Sequence, residues 1–243
     1  MESIKVYTHY LCKNEIEYRW RTIIQIGDSW QVCGTIFMKN PGSSKSVEPN
    51  RSPIEKSGLL EKLRKFDDTK TSSSYEWYEF SIDRTMSCVI NLFKAYYEAH
   101  GKQLNGVIQI FNLFNIRDVN VWRAIDKCKD DGLDKLVFTT DDDIKHIMSP
   151  VYIGWGNLWR NPVHKGNAQR IFSEVIKKSS YLCNRIEENK FYHPQYLMSY
   201  GKNRKNCKDV LEKFKKEEPI TTNSPDLRVT PCLSLCDGEI QEV

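Results

Sequence analysis

Two short segments carry the residue types that could do chemistry. An apolar run, Val32 to Met38, leads straight into Asn40-Pro41-Gly42-Ser43-Ser44, and far downstream comes Phe191-Tyr192-His193-Pro194. A strand that ends in a Pro/Gly-shaped turn leaves backbone N–H groups and a polar side chain, here Asn40, at its carboxyl end. In open α/β sheets that is where ligands bind. A histidine loop closing over the same end would complete a site with the character of a nucleotide pocket. Asn40-Pro41-Gly42 are also turn formers, so taken alone the triplet reads equally as a simple turn.

The elements around these segments alternate. Lys5 to Tyr10 and Tyr18 to Ile26 carry the β-branched and aromatic residues of strands. Gly27-Asp28 supplies a turn, so Tyr18 to Met38 is expected to be a hairpin. Ser57 to Phe66 and Met86 to Ala99 space their apolar residues as helices do, and Gly101 ends the second. Trp77 to Ile82, Val107 to Phe111 and Val151 to Ile153 read as strands, with a last short strand expected near Tyr181 to Asn184. Val121 to Cys128, Asp143 to Met148 and Asn167 to Lys177 read as helices. Strands alternating with helices predict an α/β chain built as a three-layer α/β/α sandwich around a central, mostly parallel sheet.

That domain is expected to occupy residues 1–200. A basic, helical extension follows over 201–218, and a Thr/Ser/Pro-rich tail with little to bury, expected to be poorly ordered, over 219–243. Thr69 to Ser74 reads as a polar linker, and Pro41 to Pro53 as a binding loop or lid.

The 243 residues are 40% apolar, an ordinary globular composition, which excludes disorder throughout. No apolar run reaches the length of a membrane span, and the N-terminus lacks a signal peptide's apolar stretch, so a cytoplasmic protein is expected. Of the eight cysteines only Cys232 and Cys236 are close, with no second pair at metal-ligand spacing; neither metal nor cofactor is expected. The remainder read as reduced thiols, several of them in the core. Net charge is only +4, but Lys56–Lys70 and Lys202–Lys216 are basic. Each could contact phosphates or be the solvated face of a helix.

Four strand ends now line up: Asn40-Pro41-Gly42-Ser43, Asn112-Leu113-Phe114, Trp155-Gly156-Asn157 and His193-Pro194-Gln195-Tyr196. With Asp83-Arg84-Thr85 before a helix, Asn112-Leu113-Phe114-Asn115-Ile116-Arg117 and His193-Pro194-Gln195-Tyr196-Leu197, the pattern resembles the uracil-DNA glycosylase superfamily. It looks closest to a bacterial and phage branch catalogued as a domain of unknown function. The resemblance runs from about residue 17 to residue 200.

What the resemblance implies is hydrolysis of an N-glycosidic bond in DNA, on a base flipped out of the stack. Asn40 would orient the attacking water and His193 would stabilise the negative charge on the departing base. Asn112 would read the base edge, with Met38 and Lys39 shaping the pocket and Phe111, Phe114 or Trp155 stacking on the base. Gly42, Ser43, Ser44, Lys45, Arg117 and Asn157 would hold the DNA backbone, and Gln195, Tyr196 and Leu197 would wedge into the duplex. Phe114 and Trp155 equally suit a core, and Arg117 a structural bridge to Asp83 or Asp118.

Three departures bear on the substrate. Met38 stands where the superfamily's first motif usually has glycine, Gln195 stands in the second motif, and a polar insertion (Ser43 to Lys56) follows the first. An altered, roomier pocket would admit a larger base, such as a modified cytosine or thymine in foreign or phage DNA. The partner expected is therefore DNA, acted on by a monomer. A non-catalytic nucleic-acid-binding module and a nucleosidase acting on free nucleosides are the alternatives.

Overall fold

The computed structural model describes residues 3–48, 52–67, 75–128, 137–200 and 204–218. The Thr69–Ser74 linker, Lys202 with its neighbours, the segment 219–243 and Cys232 and Cys236 lie outside the described residues.

The first two strands, β1 (Ile4–Lys13) and β2 (Ile16–Ile26), form an antiparallel hairpin. Asn14 and Glu15 close it with φ of 51° and 63°. Consecutive left-handed residues give the loop a twist that matches the strands. This corrects the hairpin expected over Tyr18 to Met38. Gly27 alone is left-handed at the later turn (φ 74°). β3 (Val32–Met38) is buried on both faces after its first residue and runs parallel to its sheet neighbours. Such a strand needs a crossover connection, with layers covering both sides.

With β4 (Trp77–Phe80), β5 (Gly106–Asn112) and β6 (Val151–Ile153) the sheet order is β4-β1-β2-β5-β3-β6. The sheet is mixed. Its β5-β3-β6 half is parallel, and β4, β1, β2 and β5 pair antiparallel. The sheet expected to be mostly parallel is thus parallel only in the half whose strands lead into the Asn40, Asn112 and Gly156 loops.

Period-two alternation sends apolar residues to both faces. Phe37, Phe111, Val151 and Ile153 pack among residues of α3 (Val121–Lys127), α4 (Asp141–Lys145) and α5 (Pro162–Val175). On the same side Leu63 of α1 (Ser57–Arg64) packs with Tyr7, Ile23 and Val107. Ile36, Met38, Ile108 and Ile110 face the other way, under α2 (Arg84–Ala99) and α6 (Lys205–Lys215). The fold is α/β with helices on both faces of the sheet. α6 is a full member of its layer. Phe214 is fully buried against the rings of Phe93, Tyr96 and Tyr152.

No strand forms at Tyr181 to Asn184. The β6 N–H of Ile153 donates instead to the Tyr181 hydroxyl at 3.1 Å, so a side chain satisfies the edge that another strand would have paired.

A register shift between Tyr7 and His9, opposite a left-handed Arg21 (φ 46°), adds a residue to β2. Arg19 and Arg21, two apart, would share a face in a regular strand. The bulge separates them. Arg19 lies over the Phe80 ring, whereas Arg21 reaches α4 and pairs with Asp143.

Glu217, just after α6, is buried, with one oxygen accepting from the Ser180 N–H and the other unpartnered. Burial pushes its carboxyl up to about 7. The folded state therefore holds a proton that the unfolded chain releases near its ordinary value. The stabilisation is complete below that value and is lost as pH rises through about 7. Glu217→Gln should stabilise the fold by about 1–3 kcal/mol at about pH 8 and leave it nearly unchanged at about pH 4. Urea unfolding at the two pH values measures this, and equal midpoint shifts at both would contradict it.

Candidate functional site

The loops after β3, β5 and β6 are laced together beyond the strands. The Leu113 N–H donates to Met38 O at 2.8 Å, Phe114 N–H to Lys39 O at 3.2 Å, and Gly154 N–H to Phe37 O at 2.7 Å. The histidine loop joins through Gly156 N–H to Phe191 O at 2.7 Å. The three strand-end loops and the histidine loop are therefore held by backbone hydrogen bonds.

Between them lies a cavity of about 330 Å³ bordered by Met38, Lys39, Asn40, Asn112, His193 and Gln195, with Gly42 and Ser43 at one side. A second cavity, about 920 Å³, opens beside it and is bordered by Gly156, Asn157, Arg160, Lys190 and Tyr196. Lys39, Val121 and His193 border both, so the two cavities adjoin along these residues as one cleft.

The Asn40 amide is fixed. Its nitrogen donates to the carbonyls of Pro41 (3.1 Å), Ile116 (3.3 Å) and Asp118 (3.0 Å). Backbone oxygens thus take up the donor end, and the amide's remaining group is the acceptor Oδ1. Asn112 is buried at the cavity wall, and no described residue bonds its amide. A buried amide with one donor and one acceptor edge suits a ligand carrying the complementary pair.

His193 is half-buried. Burial, and secondarily the charge of Lys39, push its imidazole down to about 4, so at neutral pH it is an uncharged ring with one N–H to donate. Burial also lowers the Lys39 amine below its ordinary value. Lys39 lies on Gly156, where an added Cβ would sit 3.4 Å from the lysine Cε.

Other side chains expected at the site lie elsewhere. Phe111, Phe114 and Trp155 are buried core residues and border neither cavity. Phe111 stacks on Phe37, Phe114 on His164 at 4.5 Å, and Trp155 packs edge-on to Phe37 and Phe191. These three rings continue the apolar face of the parallel strands, and burial there outweighs exposure to a ligand.

Ser44 is buried, with its hydroxyl donated to Ser81 O, so it has no hydroxyl to offer a phosphate. Lys45 is exposed but outside both cavities, its backbone N–H bonded to Ser81 Oγ. Arg117 bonds Ser44 O and pairs with Glu17, replacing the expected bridge to Asp83 or Asp118. Asp83 instead caps α2, accepting from Met86 N–H.

The wedge Gln195-Tyr196-Leu197 divides. Gln195 borders the smaller cavity. Tyr196 borders the larger one but is held by Arg204, which donates to its hydroxyl. Leu197 is 1% exposed and belongs to the core beneath α2. No described residue of either basic stretch borders the cleft.

Several bordering residues escaped the sequence reading. Val119 and Trp122 flank the start of α3 at the cleft and are 76% and 65% exposed. The available signal was Val119-Asn120-Val121-Trp122, apolar residues on both sides of an N-cap asparagine. Arg19 is buried at the smaller cavity, its guanidinium lowered to about 10 by burial foremost, with Nε unpartnered. An arginine between the aromatic residues Tyr18 and Trp20 of a strand was its signal.

Among the described residues no cluster of His, Cys, Asp or Glu could hold a metal ion, and no helix is long and apolar enough to cross a membrane. No family model, no curated protein and no solved structure matches the chain.

Proposed function

We propose that this chain is a DNA glycosylase, with a uracil-DNA glycosylase-like arrangement of its sheet and loops, that hydrolyses the N-glycosidic bond of a modified pyrimidine. The observation that carries the reading is the pairing, across one small cavity, of an amide held by three backbone carbonyls with an uncharged, desolvated imidazole.

Each group has a task suited to its chemistry. Asn40 Oδ1 accepts from a water and aims it at C1′. An amide is no strong base, so the barrier is lowered chiefly at the leaving group. There the His193 N–H donates to a base carbonyl as negative charge develops on the ring, in a site where burial strengthens the bond. Asn112 reads the base edge with one donor and one acceptor.

The larger cavity supports a bulky substrate, since a base substituent passing Lys39 finds room there. Trp122, exposed at the rim, offers a ring face for stacking, and Arg160 and Lys190 offer charges to the phosphates.

Mass spectrometry of free bases released from DNA carrying uracil, hydroxymethylcytosine, glucosylated hydroxymethylcytosine or modified thymine tests the proposal. Release by the native chain, reduced about 100-fold or more in Asn40→Ala, is expected. Salt-sensitive DNA binding with no base released would replace the enzyme by a binding module.

A further inference from the structure

We propose that Lys39 is a nucleophile that forms an imine with the C1′ aldehyde of an abasic site and cleaves the DNA strand on its 3′ side. The inference rests on the glycosylase reading for the identity of the sugar, and on the position of Lys39 for the chemistry.

Lys39 borders both cavities where they adjoin, between Asn40, its chain neighbour, and His193 on the facing loop. Its stem lies against Gly156, a left-handed position (φ 62°) where an added Cβ would be in van der Waals contact with the lysine. No carboxylate among the described residues pairs with its amine, unlike Lys127 and Lys145, which carry acidic partners. A lysine placed only for charge would be held by a counter-ion, and this one is partly withdrawn from water with no carboxylate paired to it among the described residues. Desolvation favours the free amine, which is the form that attacks a carbonyl.

The steps balance without another reactant. The Nζ lone pair adds to C1′ of the ring-opened sugar, the carbonyl oxygen leaves as water with one proton from Nζ and one from solvent, and a protonated imine remains. The imine acidifies the C2′–H bond. The uncharged His193 imidazole takes that proton, and the electron pair forms the C2′=C3′ bond. The C3′–O bond breaks and releases the downstream strand with its 5′-phosphate. Water then hydrolyses the imine and restores the amine.

The test uses the full chain and a duplex oligonucleotide carrying a preformed abasic site, so no base release is needed. With sodium borohydride present, the wild type is expected to give a covalent protein–DNA adduct, and peptide mapping is expected to place it on Lys39. Without borohydride it should nick the strand. Lys39→Arg, which keeps the charge, should lose adduct and nicking while its thermal unfolding matches the wild type, and Lys165→Arg on α5 should keep both. Absence of a wild-type adduct, or an adduct mapped to another lysine, overturns the proposal, and mapping on the wild type needs no variant to fold. Adduct formation with no free base released from modified DNA would sink the glycosylase reading and leave the lyase standing. The reverse pattern would do the opposite.

Discussion

His193→Ala is expected to slow base release by about 100- to 1000-fold under single-turnover conditions, the usual cost of removing one donor aimed at a developing anion. Binding of the modified DNA should change far less. In the proposed reaction the imidazole lies at the leaving group, and the bond it makes there is stronger in the transition state than in the ground state. His193→Gln, which keeps an amide N–H, should recover part of the loss.

The pH profile separates this role from acid catalysis by a charged ring. With its imidazole pushed down to about 4 by burial and by Lys39, His193 is uncharged across the neutral range. Its contribution to the rate should therefore show no break near 6.5. A break there that disappears in His193→Gln would show a protonated imidazole to be the active form.

The same burial affects stability. The unfolded imidazole takes up a proton at its ordinary value and the folded one does so only near 4. Stability is therefore full above the ordinary value and falls as pH drops toward 4. The wild type should lose more stability across that window than His193→Ala does.

Asp143→Ala is expected to destabilise the fold by about 3–5 kcal/mol, read as a lowered urea midpoint. Asp143 Oδ1 accepts from Arg21 Nε at 2.6 Å, and both side chains are buried. Its other oxygen accepts from the Thr140 N–H and hydroxyl, each at 2.8 Å, completing a capping box at the start of α4. Alanine would leave the Arg21 charge buried without a partner and remove the carboxylate's half of the capping box. Replacing both members, as in Arg21→Met with Asp143→Leu, should recover much of the loss, because the penalty comes from the orphaned charge. A loss under about 1 kcal/mol in Asp143→Ala would mean that Arg21 reaches water in solution.

The local elements were legible because local physics sets them. α2 has apolar residues at helical spacing, an Asp83 cap and the stop at Gly101, and it forms within two residues of its expected start. β3, β5 and β6 were legible as short apolar runs ending in polar loops. The hairpin was misplaced because β-pairing is non-local. An apolar strand does not specify its neighbour, and β5, inserted between β2 and β3, comes from much later in the chain.

By itself the sequence determined which residues sit at strand ends. Asn40, Asn112 and Gly156 each follow or end an apolar strand with a turn or a polar side chain, a property of a few consecutive residues, whereas no strand precedes His193. Only the tertiary structure decided what each side chain does there. Phe111, Phe114 and Trp155 could stack on a ligand or fill a core, and the helices over that face bury them. Arg117 found Glu17, and Arg19 and Arg21 parted at a bulge set by the register with β1. Lys39 became a desolvated amine because Gly156 and His193, brought in from other loops, close around it. Burial and charge depend on every element that packs nearby, and no local pattern in the chain encodes that sum.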